Sequence, residues 1–257
     1  METNKIYNEN CLDTMAKMDD GVIDLVVTSP PYDDMRDYNG YSFEAKPIIK
    51  ELCRVIKDGG AAVWVIGDQT KNFSETGSSF RQALEFVDNG MNLETMIWKK
   101  PSAGGCLGSN RLYGQVFEYM FVLFKGKPAT TNLIEDRRNV KTSGKVNTCG
   151  SIGASGRPDN YRTIEKKEFG KRTNVWEYAR QKQVGHPAPF PKQLASDHII
   201  SWSNPGEIVY DPFMGSGTTA IAAIENDRLY IGSEMSKEYC DLIQKNIEAT
   251  TSPLPVK

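Results

Sequence analysis

Two short stretches, about 180 residues apart, carry groups that can do chemistry. The first is Thr28-Ser29-Pro30-Pro31-Tyr32. Each proline fixes its own φ and lacks an N–H, and Pro31 biases Pro30 towards an extended shape, so this backbone presents carbonyls without competing donors. The Ser29 hydroxyl stands before the prolines and the Tyr32 ring after them. That set suits a flat ring carrying an amino group. The ring stacks on Tyr32, one N–H points to Ser29 and the other to the Pro30 carbonyl. Taken alone, the tetrapeptide Ser29 to Tyr32 also fits a strand that ends in a proline-rich turn.

The second stretch is Asp211-Pro212-Phe213-Met214-Gly215-Ser216-Gly217-Thr218-Thr219. A Gly-x-Gly between a strand and a helix permits positive φ and close approach of a ligand to the backbone. It is not a P-loop, because no Gly-Lys-Ser/Thr follows, and it lacks the third glycine of the dinucleotide fingerprint. A carboxylate, a rigid turn and an aromatic ring precede the glycines. Glu234 follows 19 residues after Gly215, where doubly wound folds place the acid that takes ribose hydroxyls. The loop therefore fits an adenosine-bearing ligand with little need for phosphate contacts. S-adenosylmethionine meets that description, with its carboxylate at the helix start near Thr218 and Thr219 and its amine at Asp211. The competing reading is a structural glycine turn.

The elements that must position these stretches follow from hydrophobic periodicity. Residues 22–27 form an apolar run that suits a strand buried on both faces. Strands are also expected at 5–7, 61–66, 93–98, 116–124, 208–210 and 230–232. Helices are expected at 11–18, 43–57, 79–89, 189–203, 220–224 and 238–249, with Asp58-Gly59-Gly60 closing the second as glycine does just past a helix end. Strands alternating with helices give an α/β fold: a doubly wound, mostly parallel sheet with helices on both faces. From 126 to 185 periodicity is poor and Gly, Ser, Asn, Thr, Lys and Arg dominate, which reads as a loop-rich insert in a discontinuous domain made of 1–125 and 186–257.

Composition bounds the partners. Residues 126–185 hold 13 Lys or Arg against 6 Asp or Glu in a chain of net charge −2, so the rest is acidic and the insert suits a localised polyanion contact. The alternative is a solvated surface loop. The five cysteines are scattered and form no Cys-x-x-Cys, and there are two histidines, so a reducing cytosol is expected, with neither a disulfide framework nor a metal site. The chain contains no run of about 18 apolar residues and starts without an apolar signal core, so no membrane partner is expected.

Together the two stretches resemble the amino-group (N4-cytosine or N6-adenine) DNA methyltransferases. Ser29-Pro30-Pro31-Tyr32 resembles their catalytic motif and Asp211 to Thr219 their cofactor loop, while the segment from His186 to Pro191, with Pro189 and Phe190, resembles the one that walls the cofactor. Catalytic motif, recognition region, then cofactor loop is the order of the β group. The resemblance implies the S-adenosylmethionine-dependent methyltransferase fold with a seven-stranded type of sheet. It also implies transfer of a methyl group from that cofactor to the exocyclic nitrogen of a base swung out of duplex DNA. Catalytic roles fall to Ser29, Pro30, Pro31 and Tyr32. Cofactor contacts fall to Asn10, Cys11, Pro189, Phe190, Asp211, Pro212, Phe213, Gly215, Ser216, Gly217, Thr218, Thr219 and Glu234. Asn10 stands where the family often has Asp. Ser29, rather than Asp or Asn, favours N4-cytosine, with N6-adenine as the alternative. Candidate DNA contacts are Arg36, Tyr38, Tyr41, Lys99, Arg137, Arg138, Lys141, Lys145, Arg157, Lys166, Lys167, Lys171 and Arg172. Double-stranded DNA, a homodimer and a companion restriction endonuclease acting separately are the implied partners, in the cytoplasm of a bacterium or archaeon or encoded by a phage. Two other readings stay open: a non-catalytic DNA-binding module, and an amino methyltransferase acting on RNA or protein.

Overall fold

The computed structural model describes residues 1–31, 43–101, 112–139, 145–149, 161–165, 167–179 and 190–251. In chain order the elements are β1 (Lys5–Tyr7), α1 (Cys11–Met15), β2 (Ile23–Thr28), α2 (Ala45–Val55), β3 (Ile56–Ile66), β4 (Thr70–Lys71), β5 (Ser74–Glu75), α3 (Ser78–Asp88), β6 (Met91–Lys99), β7 (Phe117–Lys125), β8 (Arg137–Arg138), β9 (Lys145–Cys149), β10 (Tyr161–Glu165), β11 (Phe169–Gly170), β12 (Val175–Glu177), α4 (Lys192–Trp202), β13 (Ile208–Asp211), α5 (Thr218–Glu225), β14 (Leu229–Ser233) and α6 (Lys237–Thr251). They fall into two compact units, Met1–Asn132 with Asn174–Lys257, and Leu133–Thr173.

The larger unit is built on an eight-stranded sheet of order β1-β14-β13-β2-β3-β7-β6-β12. Neighbours are parallel except where β7 lies antiparallel between β3 and β6. The central strands are apolar on both faces because both faces are covered. Leu25 and Val27 of β2, with Ala61, Val63 and Val65 of β3, join the core that contains Leu194, Ala220 and Ile243. Val26, Ala62, Trp64 and Ile66 point the other way, into the core with Ile49, Leu52 and Phe86. One alternation of period two thus serves two helical layers.

The glycines at 59 and 60 do a different job from the expected one. Helix α2 stops at Val55 and the chain runs straight into β3. Between Ile23↔Ile56 and Leu25↔Ala61 the register with β2 shifts, and Gly59 takes φ +81° inside that irregularity. A Cβ there would lie 2.8 Å from Ala129 Cβ. A glycine needed for positive φ in a strand irregularity and one needed at a helix end are the same letter in the sequence.

The smaller unit consists of two antiparallel pairs, β10 with β9 and β11 with β8. It is narrower than the 126–185 insert read from composition. Gly126 to Asn132 belong to the larger unit, and β12 is parallel to β6 in the main sheet. No helix among the described residues is long and apolar enough to cross a membrane.

Candidate active site

The sheet order reverses at one place. From β13 the chain proceeds through α5 to β14 on one side, and from β2 through α2 to β3 on the other, so β13 and β2 are neighbours whose following loops diverge. A crevice opens beyond the carboxyl ends of two such strands, and ligands bind there in open α/β sheets. Both chemistry-bearing stretches leave the sheet at this point: Ser29 follows the last residue of β2, and Pro212 follows the last residue of β13.

Side chains lock the two together. The Thr28 hydroxyl donates to Asp211 Oδ1 at 2.6 Å, and the Phe213 N–H donates to the same oxygen at 3.0 Å. Thr219 Oγ1 lies 2.7 Å from Asp211 Oδ2 and 3.2 Å from the Val27 carbonyl. Asp211 is 1% exposed, and burial pushes its carboxyl up to about 6 despite these three donors. Its carboxylate faces the seam between the strands.

The glycine bend is held from both sides. Gly215 (φ +54°) and Gly217 (φ +86°) supply the left-handed turns. Glu234 Oε2 accepts the Gly215 N–H at 2.9 Å, and Oε1 accepts the Ser236 N–H at 2.8 Å. Burial raises the Glu234 carboxyl from its ordinary value. Asn246 of α6 donates to the Ser216 carbonyl, while Ser216 and Thr218 are buried with their hydroxyls 3.4 Å apart. Pro212 is buried within the turn. Phe213 packs edge-on to Phe43 and Trp64 at 5.6 and 6.2 Å. Helix α5 begins at Thr218 with Gly217 at its N-cap, and no side chain caps it.

A sequence model of the DNA methylase family matches residues 23–245. The chain belongs to that family. Among its relatives, the orphan methyltransferase M.BamHII of Bacillus amyloliquefaciens is 51% identical over 242 residues, covering 89% of this chain and 90% of that one. Two solved structures share the fold. PvuII DNA methyltransferase (cytosine-N4-specific) is 19% identical with TM-score 0.69, covering all of this chain and 89% of that one. TTHA0409 of Thermus thermophilus, complexed with S-adenosyl-L-methionine, is 22% identical with TM-score 0.65, covering 97% and 96%.

The residues of this methylase fit the S-adenosylmethionine that its family uses. The uncapped start of α5 leaves first-turn N–H groups to meet a carboxylate. Each Glu234 oxygen, already holding one N–H, keeps a lone pair for a ribose hydroxyl. Other expected contacts are placed less directly. Asn10 uses its side-chain oxygen to accept the Leu12 N–H at 2.9 Å and cap α1. Cys11 is buried, its thiol pushed up to about 12 by burial. Phe190 is buried in the core of the α4 face.

Of the motif itself, Pro30 is buried and Ser29 and Pro31 are half-buried. Tyr32, Arg36, Tyr38, Tyr41, Lys141, Arg157, Lys166 and Pro189 lie outside the described residues. Lys145 opens β9. Among the other candidate DNA contacts, Lys99 pairs with Glu177 at 2.7 Å, Lys167 with Glu135 at 2.8 Å, and Arg172 grips Asp136 with two nitrogens. Arg137 Nε donates to the Lys171 carbonyl, and Arg137, Arg138 and Lys171 are exposed.

Three contributors were given no role in the sequence reading. Thr28 is one. Asn8, which donates to the Glu234 and Met235 carbonyls and so holds the loop after β14, is another. Asn246 is the third. Only Thr28 had a signal, its place directly before Ser29.

Proposed function

We propose that this methylase is a sequence-specific DNA methyltransferase acting on the N4 amino group of cytosine. The observation that carries this reading is the seam at Thr28 and Asp211, which puts the Ser29-Pro30 turn and the Gly215–Gly217 bend on adjacent strand ends. An exocyclic amino nitrogen is a poor nucleophile, because its lone pair is delocalised into the ring. Ser29 Oγ and the Pro30 carbonyl accept its two N–H groups, which favours a tetrahedral nitrogen with an available lone pair. Tyr32 holds the flipped base by stacking. Phe213, Gly215, Gly217, Thr218 and Glu234 hold S-adenosylmethionine, which supplies the methyl group on its sulfonium. Rate then comes from positioning and from acceptors already in place. Serine supports cytosine because a hydroxyl both accepts and donates, whereas a carboxylate only accepts.

In the same reading the insert within 126–185 recognises the target, with Arg137, Arg138 and Lys171 as phosphate contacts. The enzyme works in the cytoplasm, on duplex DNA. The 51% identical relative is named an orphan, which favours methylation without a dedicated endonuclease.

The test is digestion and mass analysis of genomic DNA from methylation-deficient cells after incubation with the protein and S-adenosylmethionine. N4-methylcytosine is expected, and Ser29→Ala is expected to lose at least about 100-fold in rate. N6-methyladenine would overturn the base assignment. A fully active Ser29→Ala would overturn the role of the hydroxyl.

A further inference from the structure

We propose that Thr28 is a positioning residue for methyl transfer: its hydroxyl, bonded to the Asp211 carboxylate, sets the width of the crevice between the Ser29-Pro30 turn and the glycine bend. The inference rests on the function proposed above.

The backbone alone does not set that width. Strands β2 and β13 pair at only two rungs, Val209↔Leu25 and Tyr210↔Val26. Their outer neighbours continue further: β2 stays paired with β3 to Thr28↔Trp64, and β13 with β14 to Asp211↔Gly232. Each strand is thus anchored on its far side to its last residue, while the seam between them has stopped pairing. Side chains bridge what remains. Thr28 reaches Asp211 Oδ1 at 2.6 Å, and Thr219 connects Asp211 Oδ2 to the Val27 carbonyl. Thr28 is fully buried, so no water substitutes for its hydroxyl without a cavity being opened.

The residue after Thr28 is Ser29, and the residues after Asp211 lead into Phe213 and the bend. A change of a few tenths of an ångström at this bridge passes directly to the distance between the amino acceptors and the methyl donor. Methyl transfer is sensitive to that distance, since misplacement by about 1 Å costs on the order of 100-fold in rate. Neither the cofactor contacts nor the DNA contacts proposed above include Thr28. Losing its hydroxyl should therefore slow the chemical step and spare binding.

The experiment compares Thr28→Val, nearly isosteric but without the donor, with Thr28→Ser, which keeps it. Single-turnover methyl transfer is measured with saturating tritiated S-adenosylmethionine and genomic duplex DNA from methylation-deficient cells, alongside KM for both substrates and the thermal midpoint. Thr28→Val is expected to lose about 10- to 100-fold in the single-turnover rate, with each KM within about threefold of wild type, and Thr28→Ser to restore most of the rate. Should Thr28→Val fail to fold, Thr28→Ala removes the same hydroxyl without pressing a methyl group on the carboxylate, and makes the same comparison. A hydroxyl-free variant that melts lower but transfers methyl groups at the wild-type rate would overturn the proposal, as would one whose loss lies wholly in KM for the cofactor. Failure of the underlying reading looks different: wild type itself would then give no methylated base.

Discussion

Two aspartates show how differently the two units of this methylase use charge. Asp211 in the seam of the larger unit is buried, is held by three neutral donors, and titrates well above an ordinary carboxyl. Asp136 in the smaller unit is exposed and gripped by the Arg172 guanidinium, which holds its carboxyl below the usual range. Burying an aspartate without a cation is costly, and it is tolerated where short hydrogen bonds must fix one geometry. An exposed ion pair fixes little, because water and salt screen it, and its cation can exchange a carboxylate for a phosphate. The larger unit is thus built for position and the smaller for adaptable contact.

The same substitution in both units gives the largest contrast. At Gly217, φ is +86° and a Cβ would fall 2.9 Å from Cγ2 of Ile243, a fully buried residue of α6. At Gly170 no positive φ is involved, and a Cβ would meet the ends of the Arg137 and Asn139 side chains at 2.9 and 3.1 Å, which can swing aside. Gly217→Ala is expected to lose about 3 kcal/mol of stability, from a left-handed alanine plus overpacking. Gly170→Ala is expected to lose less than about 1 kcal/mol. Urea unfolding of the two variants measures both. Equal losses would erase the distinction between the units.

The next contrast is in pH. The Asp211 carboxyl is raised from 3.8 to about 6 by burial, so its contribution to stability is fully present below about pH 4 and is lost as pH rises through about 6. The loss amounts to about 3 kcal/mol. Asp136 has the opposite sign: its carboxyl is lowered, so its small contribution is present above about pH 4 and is lost as pH falls. Asp211→Asn isolates the first effect. The amide oxygen still accepts from Thr28 and Phe213, and the amide nitrogen donates to Thr219, whose own proton then goes to the Val27 carbonyl. Relative to that variant, wild type should weaken steadily between pH 4 and 7 in urea titrations. A wild type that instead strengthened against the variant over this range would mean that the seam stabilises the charged form.

This contrast also explains what the sequence could show. The proline-flanked serine and the Gly-x-Gly bend were legible because each is a local matter: which residues lack an N–H, and which allow positive φ. The strands were legible because both faces of β2 and β3 are apolar. Thr28 was not, because a threonine at a strand end is an ordinary strand residue until its partner, 183 positions away, is known. The bounds and internal pairing of the basic insert were hidden for a related reason. Counting charges in 126–185 cannot show that Lys167 and Arg172 are matched to Glu135 and Asp136, which come from the start of the same unit. Nor can it show that Trp176, in a stretch of polar neighbours, is a buried residue of the main sheet's edge strand.

The smallest effect tests the adaptable half of the comparison. Glu135 and Lys167 form an exposed pair at 2.8 Å, and the lysine holds the glutamate carboxyl below its ordinary value. Such a pair gains little Coulomb energy in water and immobilises two long side chains, so Glu135→Gln should leave the unfolding midpoint where it is. Binding should move the other way. With its carboxylate gone, Lys167 is free to meet a phosphate, and one more neutralised phosphate adds about 0.9 to the slope of log affinity against log salt. The variant is therefore expected to bind duplex DNA about two- to threefold more tightly at low salt, with the gain vanishing as salt screens it. Fluorescence titrations at several salt concentrations read both the affinity and the slope. A variant that loses stability without gaining affinity would mean that this ion pair holds the small unit together, and position rather than adaptability would then govern both halves of the molecule.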